Sequence, residues 1–349
     1  MISIRNLTID LGNFQLRDIN LNIESGEYFI ILGPTGAGKT VLLEALAGLH
    51  PIVEGKAWIE GKEITKLNPE KRGIGMVYQD QVLFPHLSVA ENIAFGLKLR
   101  KYSKEEIKTR IDSIAEILGI GHLLGRDPST LSGGEKQKVA LSRALVIEPK
   151  VLLLDEPLSA LDPETRERLQ GELREIHRRL KVTIIHVTHD FEEAVALGHR
   201  VAVLNDGQIA QVGTPEQILR QPKSEFVASF ALSRNIFTGK ARDGESGSTL
   251  IDIDEITLRA ITESRGGVRL CLRSEDILIS KEPFRSTARN SFPGVVSNID
   301  SRVSVAYVTV TVPPDFICLI TRQAFEELNL EKGMKVWLTF KASAIHIFK

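Results

Sequence analysis

One stretch, GPTGAGKT at residues 33–40, limits most strongly what this chain of 349 residues can fold into. It fits the pattern G-x-x-x-x-G-K-[ST], in which glycines let the backbone wrap closely around phosphate groups. The preceding YFIIL is apolar and strand-like, and the following VLLEALAGL is helix-like. Amides at the start of that helix, together with the helix dipole, favour anions. The alternative is an ordinary glycine-rich turn before a helix.

This loop predicts a nucleotide site that also uses Mg²⁺. Lys39 is expected to reach the β- and γ-phosphates, and the Thr40 hydroxyl is expected to bind the metal. The predicted nucleotide contacts of the loop are Gly33, Pro34, Thr35, Gly36, Ala37, Gly38, Lys39, Thr40 and Val41.

Two adjacent acids end the apolar run KVLLLDEP at residues 150–157, which is typical of a buried parallel strand. Ligands of α/β sheets bind where such strands end. Asp155 is predicted to complete the metal shell and Glu156 to polarise an attacking water, which together suit hydrolysis. Taken alone, the pair could also be two solvated acids in a turn.

A helix-like run begins with two glycines in LSGGE, residues 131–135. Ser132 and Glu135 fit a capping box, and that interpretation is incomplete because a capping box does not require Gly133 and Gly134. Glycine costs about 1 kcal/mol relative to alanine inside a helix. Bare amides at this helix start would form a second anion clamp suited to a γ-phosphate.

Composition indicates an ordinary globular chain, with 42% hydrophobic and 26% charged residues and a net charge of -1. That charge gives no bulk attraction to nucleic acid or to an acidic membrane. Because no apolar run approaches about 18 residues and the N-terminus lacks a signal peptide pattern, we expect a cytosolic chain. Cys271 and Cys318 lack metal-ligand spacing and are expected to be buried thiols.

Two domains are predicted, an α/β P-loop ATPase at residues 1–229 and a small all-β domain at residues 230–349. A helical subdomain is expected over about residues 87–150, where Ser88 with Glu91 and Ser103 with Glu106 fit capping boxes. Beyond residue 230, short alternating segments such as VSVAYVTVTVP predict a barrel or sandwich.

The motifs of the first domain resemble those of ABC-transporter ATPases. MVYQ ending at Gln79, then LSGGE, LLLDEP, SALD at residues 159–162 and THD at residues 188–190 occur in the order seen in that family. The resemblance covers about residues 1–225. It implies a RecA-like core, an antiparallel β-subdomain and a helical subdomain. It also implies a head-to-tail homodimer in which the LSGGE helix of one copy faces the ATP of the other, so that Gly133 and Gly134 let that ATP approach Ser132.

The same resemblance assigns roles to three further side chains. Gln79 is expected to touch Mg²⁺ and water and to relay the nucleotide state to a permease. His189 is expected to contact the γ-phosphate and Glu156, and Asp162 is expected to cross the dimer interface as well as to cap a helix. Phe14 is the nearest candidate for stacking on adenine, and the alternative is a core residue of the second strand.

The stretch DQVLFPHLSVAENIAFGL resembles the permease-docking segment of importer ATPases. Two permease subunits are predicted to dock near residues 79–87. The predicted apolar floor consists of Val82, Leu83, Phe84 and Leu87, and the alternative for about half of these four is ordinary core of the helical subdomain. An importer implies an extracytoplasmic binding protein, a peripheral position on the cytoplasmic face of the membrane, and no nucleic-acid partner.

Two stretches of the second domain, STARNSFPGVV at 286–296 and FKASAIHI at 340–347, resemble the paired signatures of molybdate-binding Mop domains, and RSEDILI at 273–279 resembles the accessory β-domain of importer ATPases. The resemblance implies an OB-like barrel. Hydroxyls, amides and cations suit a tetrahedral dianion, and turn formation is the alternative. The predicted oxyanion ligands are Ser286, Thr287, Ala288, Arg289, Asn290, Lys341, Ala342 and Ser343.

The sequence therefore predicts the ATPase subunit of a molybdate or tungstate importer whose second domain senses the anion. A sulfate or sugar importer is the alternative within this class. Two alternatives lie outside the importer class. One is an ABC protein that remodels DNA or ribosomes, and the other is an oxyanion-binding module with a degenerate ATPase.

Overall fold

The computed structural model describes residues 1–80, 82–159, 161–231, 234–244 and 249–348. Its backbone contacts divide the chain into two compact units, Met1–Pro215 and Glu216–Lys349. The strands of the first unit are β1 (Ile2–Asp10), β2 (Gln15–Ile23), β3 (Tyr28–Leu32), β4 (Glu54–Ile59), β5 (Lys62–Glu63), β6 (Ile74–Val77), β7 (Val151–Asp155), β8 (Thr183–Thr188), β9 (Arg200–Asn205) and β10 (Gln208–Gly213). The helices that begin in it are α1 (Lys39–Ala47), α2 (Val89–Leu99), α3 (Lys104–Leu118), α4 (Gly133–Leu145), α5 (Pro163–Leu180), α6 (Phe191–Leu197) and α7 (Pro215–Arg220).

A six-stranded sheet in the order β10-β9-β3-β8-β7-β6 forms the centre of the first unit. Its strands are parallel except β10, which forms an antiparallel hairpin with β9 at the edge. Every residue of β3, β7 and β8 is buried, as expected for a parallel sheet covered on both faces. Because these strands are parallel, the segments that follow them lie at one edge of the sheet.

A second, antiparallel sheet in the order β2-β1-β4-β5 packs on the first, and residues such as Leu7, Leu42 and Ile185 share one hydrophobic core. The predicted helical subdomain contains α2, α3 and α4. Capping boxes at Ser88 and Ser103 start α2 and α3, which confirms that sequence prediction.

The second unit is built almost entirely of β-structure. Its strands are β11 (Asn235–Asp243), β12 (Thr249–Ile253), β13 (Ile256–Ala260), β14 (Gly266–Leu272), β15 (Leu278–Ser280), β16 (Asn290–Ser301), β17 (Val305–Thr311), β18 (Asp315–Thr321), β19 (Lys335–Phe340) and β20 (Ile345–Phe348). They form two five-stranded antiparallel sheets, β13-β12-β11-β14-β20 and β15-β19-β16-β17-β18. Leu270, Val308 and Leu338 belong to one core shared by both sheets, which confirms the predicted all-β class.

Two short helices accompany these sheets, α8 (Glu225–Phe230) and α9 (Arg322–Glu327). Ala228 of α8 is buried with Cys271 and Phe348, so α8 packs on the second unit although it lies before residue 230. The domain boundary at residues 229/230 stays a prediction.

Both cysteines are buried, and burial raises the pKa of the Cys318 thiol to about 12. Among the described residues, no helix has the length and apolar character needed to cross a membrane.

Candidate functional site

The loop at residues 33–40 joins β3 to α1, and its geometry requires glycine at three positions. A Cβ on Gly33 would lie 2.3 Å from the carbonyl oxygen of Leu204. Gly36 and Gly38 have φ angles of +84° and +97°, which favour glycine, and a Cβ on Gly38 would lie 2.5 Å from the Phe14 ring. Because these glycines have no side chains, the loop backbone can approach its neighbours closely.

Lys39 is the first residue of α1, and its ammonium group lies against the loop. Nζ donates to the carbonyl oxygens of Gly33 at 2.9 Å and Pro34 at 3.0 Å. It also lies 3.6 Å from Oε1 of Glu156. Burial lowers the pKa of Lys39, and the carboxylates of Glu156 and Asp155 oppose that shift. The sequence-predicted lysine and acid are therefore in contact.

Thr40 and Asp155 meet at the end of β7. The Thr40 hydroxyl donates to Oδ1 of Asp155 at 3.0 Å. Burial raises the pKa of Asp155, the nearby charge of Glu156 adds to that rise, and the Thr40 hydrogen bond opposes it. A hydroxyl beside a carboxylate is an all-oxygen donor pair, so these two residues fit Mg²⁺.

Glu156 lies at the centre of the cluster. It has a positive φ of 42°, and its amide donates to the carbonyl oxygen of Val187 at 2.9 Å. Its Oε2 lies 3.0 Å from Nδ1 of His189, which follows β8. This backbone turn directs the carboxylate toward both His189 and Lys39.

Gln79 reaches the same cluster through a residue that the sequence analysis did not single out. Its Nε2 donates to the Ser159 hydroxyl at 3.3 Å, and that hydroxyl donates to the carbonyl oxygen of Glu156 at 3.0 Å. The signal was present, because Ser159 opens the SALD motif four residues after Asp155. Ala160 of that motif lies outside the described residues.

The two glycines of LSGGE have different surroundings. Ser132 caps α4 in a capping box with Glu135. Gly134 is buried, and a Cβ there would lie 3.2 Å from Cγ2 of Thr165 in α5. Gly133 is exposed, and a Cβ there would meet Leu161 only at an ordinary 3.6 Å. The close approach of α5 accounts for Gly134 within this chain, and it does not account for Gly133.

Asp162 caps α5, and Phe14 packs near the phosphate loop. The Asp162 carboxylate accepts from the amide of Thr165 at 3.0 Å, which lowers the pKa of Asp162. Phe14 precedes β2 and packs on the core of the first unit beside Gly38. This placement matches the core alternative, and stacking on adenine stays a prediction.

An apolar surface follows Gln79. The Phe84 ring lies 4.5 Å from that of Phe95, and the Arg143 guanidinium lies 5.2 Å from the Phe84 ring. Val82 is 60% exposed. Asn92, which the sequence analysis missed, fixes this segment by accepting from the Phe84 amide at 2.7 Å and donating to its carbonyl. Gln81 lies outside the described residues.

In the second unit, the two predicted anion stretches meet at one end of the β16–β19 pair, where Asn290 lies opposite Phe340. Asn290 is buried, and its amide group bonds both the N–H and the C=O of Arg259 at 2.7 and 2.9 Å. Its side chain therefore clamps β13, and contact with an anion stays a prediction. The exposed members of the predicted set are Ser286, Thr287, Arg289, Lys341 and Ser343.

Family models match both units: the ABC transporter model covers residues 16–159 and the TOBE domain model covers residues 286–347. A molybdate/tungstate import ATP-binding protein of Pyrococcus abyssi is 42% identical over 353 aligned residues, covering all of both chains. A sulfate/thiosulfate import ATP-binding protein of Halalkalibacterium halodurans is 37% identical over 97% of this chain and 96% of its own length.

Among solved structures, the dimeric ATP-binding cassette MJ0796 bound to ADP and Pi is 31% identical. The match covers 62% of this chain and 99% of that one, with a TM-score of 0.55. Together with the clustered ATP-site residues and the all-β second unit, these similarities show that the chain belongs to the ATP-hydrolysing subunits of ABC transporters and has a C-terminal TOBE domain.

Proposed function

We propose that this subunit energises the import of molybdate or tungstate. The observation that carries the proposal is the 42% identity over the full length, second unit included, to a protein named for that import. The similarity to a sulfate/thiosulfate import protein makes sulfate the second candidate.

The second unit offers the chemistry that a tetrahedral dianion needs. Arg289 and Lys341 supply positive charge, and Ser286, Thr287 and Ser343 supply hydroxyls, in stretches that strand pairing brings together. These side chains are exposed. This exposure supports a pocket completed by a second copy, and we propose that its occupancy by the anion lowers ATP hydrolysis.

In the first unit, we assign hydrolysis to the cluster around Glu156. The carboxylate of Glu156 would accept a proton from the water that attacks the γ-phosphate, while Lys39 binds the phosphates. His189, 3.0 Å from Glu156, orients that carboxylate and contacts the γ-phosphate. Thr40 and Asp155 would hold Mg²⁺, which neutralises charge on the phosphates when it is bound.

Two copies are needed to enclose ATP in this proposal. Ser132 and Gly133 are exposed at the start of α4, where a partner's ATP could approach bare amides. The 31% identical cassette MJ0796 is dimeric, which supports a homodimer with Asp162 at its interface.

A permease pair is proposed to dock on the apolar surface at residues 79–87. Gln79 begins this surface and contacts Ser159, which bonds the backbone of Glu156, so one short path joins the docking surface to the hydrolytic cluster. The chain would then lie on the cytoplasmic face of the membrane, and an extracytoplasmic protein would deliver the anion.

Anion-dependent unfolding of the full chain tests the substrate class. A Trp58→Phe version leaves Trp337 to report on the second unit, since the chain has two tryptophans. We expect molybdate and tungstate to raise the unfolding midpoint more than equimolar sulfate does. Arg289→Ala with Lys341→Ala should abolish that rise, and the exposed Lys335→Ala should not. Equal stabilisation by sulfate would favour the second candidate, and no response to any anion would reject anion binding by the second unit.

The regulatory part has a separate test in the transporter assembled with its permease. Turnover of ATP should fall as molybdate is titrated in, and unchanged turnover would reject regulation without affecting the assignment of substrate.

A further inference from the structure

A buried group of polar side chains lies behind the segment that carries His189. His186 in β8 and Tyr28 in β3 are essentially inaccessible, and the Tyr28 hydroxyl lies 3.0 Å from Nδ1 of His186. On the other side of the ring, Nε2 of His186 lies 3.6 Å from Oε2 of Glu193 in α6. Polar groups taken out of water cost free energy unless they are paired, so this group calls for an explanation beyond packing.

The Glu193 carboxylate reaches the segment around His189 through the Thr188 hydroxyl. Its Oε2 accepts from the Thr188 hydroxyl at 2.8 Å, and the same hydroxyl accepts from the Asp190 amide at 3.0 Å. The His189 ring itself is 53% exposed and touches Glu156 through one nitrogen. The position of the His189 ring therefore depends on the backbone of residues 188–190, which Thr188 and Glu193 fix.

The group extends to α5 through Arg166. Nη1 of Arg166 lies 3.9 Å from Oδ2 of Asp190, and Nη2 donates to the carbonyl oxygen of Leu161 at 3.2 Å. Leu161 immediately precedes Asp162, the proposed interface residue. Nε of Arg166 is buried and has no acceptor within the described ranges. One guanidinium thus touches both the His189 segment and the segment before Asp162.

We infer that Glu193 is a positioning residue that holds His189 on Glu156 by fixing the backbone at Thr188 and Asp190, and that Arg166 links this segment to the one preceding Asp162. The inference rests on the proposed role of His189 in hydrolysis. A carboxylate suits this position because it accepts from Thr188 and faces the Nε2 of His186 at once. An amide could accept from Thr188 but would place no charge beside His186 and Arg166.

A double-mutant cycle on steady-state hydrolysis of Mg-ATP by the full chain tests this. We expect Glu193→Ala to lower kcat about tenfold or more with KM for ATP changed less than about twofold, because a misplaced group mainly slows the chemical step. His189→Ala should lower kcat further. If Glu193 acts through His189, His189→Ala with Glu193→Ala should be no slower than His189→Ala alone.

Two outcomes would contradict the inference, and they can be told apart. Multiplying losses in the double variant would overturn the inference and leave the role of His189 intact, whereas full activity of His189→Ala would overturn that role and the inference together. The exposed neighbour Glu192→Gln is the matched control and should keep the original kcat.

A second pair of variants covers the case in which Glu193→Ala does not fold. Thr188→Val removes the shared hydroxyl while keeping the shape of the side chain, and Thr188→Ser restores the hydroxyl. We expect a loss of kcat in the first and its recovery in the second. Equal activity of the two variants would reject the positioning role.

Discussion

The cluster around Glu156 in the first unit and the predicted anion stretches of the second differ in how much of each site a single chain forms. In the first unit, Glu156 contacts both Lys39 and His189, and glycines let the loop backbone pack closely against its neighbours. In the second unit, Arg289 and Lys341 are exposed, and the buried Asn290 bonds the backbone of its own unit. The contacts within the first site form inside a single chain, whereas the predicted donors of the second site are exposed.

This difference follows from what carries the chemistry. A phosphate loop binds through backbone amides whose directions are fixed by a local turn, so a short sequence specifies most of it. An anion site made of flexible side chains on an exposed edge acquires its geometry only when another surface packs on it, because arginine and lysine otherwise keep their rotamer freedom.

The largest expected effect is in the nucleotide cluster. Glu156→Gln should lower kcat for ATP hydrolysis by about 100-fold or more while ATP still binds, because an amide cannot accept the proton from water. Phosphate release by the full chain measures the rate, and a fluorescent ATP analogue measures binding. Glu167→Gln, on the exposed face of α5, is the matched control. A Glu156→Gln variant with more than a tenth of the original rate would remove Glu156 from the hydrolytic role.

The paired glycines of LSGGE give the next largest effect and test whether the first site needs a second copy. Gly133→Ala should leave the unfolding midpoint unchanged or higher, yet lower hydrolysis about tenfold or more by obstructing the amides proposed to face the partner's ATP. Gly134→Ala should differ by also lowering the unfolding midpoint, because its Cβ would lie 3.2 Å from Thr165. Full activity of Gly133→Ala would contradict the proposed dimer site.

The elements were predictable where their signals are local. The strand, glycine loop and helix around Lys39, and the capping boxes at Ser88 and Ser103, depend on residues within a few positions of one another. The contact between Gln79 and Ser159 joins residues 80 positions apart, and the Asn290 clamp spans 31 positions. Such contacts depend on the order of strands in a sheet, which periodicity does not encode.

Gly133 and Gly134 of LSGGE also show what local sequence cannot predict. Reasoning from helix propensity gave Gly133 and Gly134 a single explanation, since both are equally unfavourable in a helix. Only the packing of α5 against α4 separates them, because it buries one and leaves the other exposed.

An intermediate effect is expected in the second unit. Asn290→Ala should lower its stability by about 1–3 kcal/mol, because the N–H and C=O of Arg259 lose buried partners. Arg289→Ala should change that stability little, because its side chain is exposed. Denaturant unfolding followed through Trp337 distinguishes them. Equal losses of stability in both variants would mean that Arg289, a predicted anion ligand, has a structural role like that of Asn290.

The smallest expected effect compares one ion pair from each unit as the pH falls. Burial raises the pKa of Glu27, but a two-pronged contact with Arg200 at 2.7 and 2.9 Å and a hydrogen bond from the Glu24 amide together lower it more, so its pKa lies below the ordinary 4.5. The stability that this carboxylate contributes is therefore complete above about pH 4.5 and is lost as the pH falls through its lower value in the fold.

Arg200 stays charged throughout this range, so the difference in unfolding free energy between the original chain and Glu27→Gln should shrink by up to about 1 kcal/mol between pH 6 and pH 3, after allowing for solvent screening. Trp58 fluorescence in a Trp337→Phe background follows the first unit. The exposed pair of Arg242 and Asp252 is the counterpart in the second unit, where Asp252→Asn should give a smaller change because water screens that pair. A larger change in the second unit would show that burial does not set the strength of these two ion pairs.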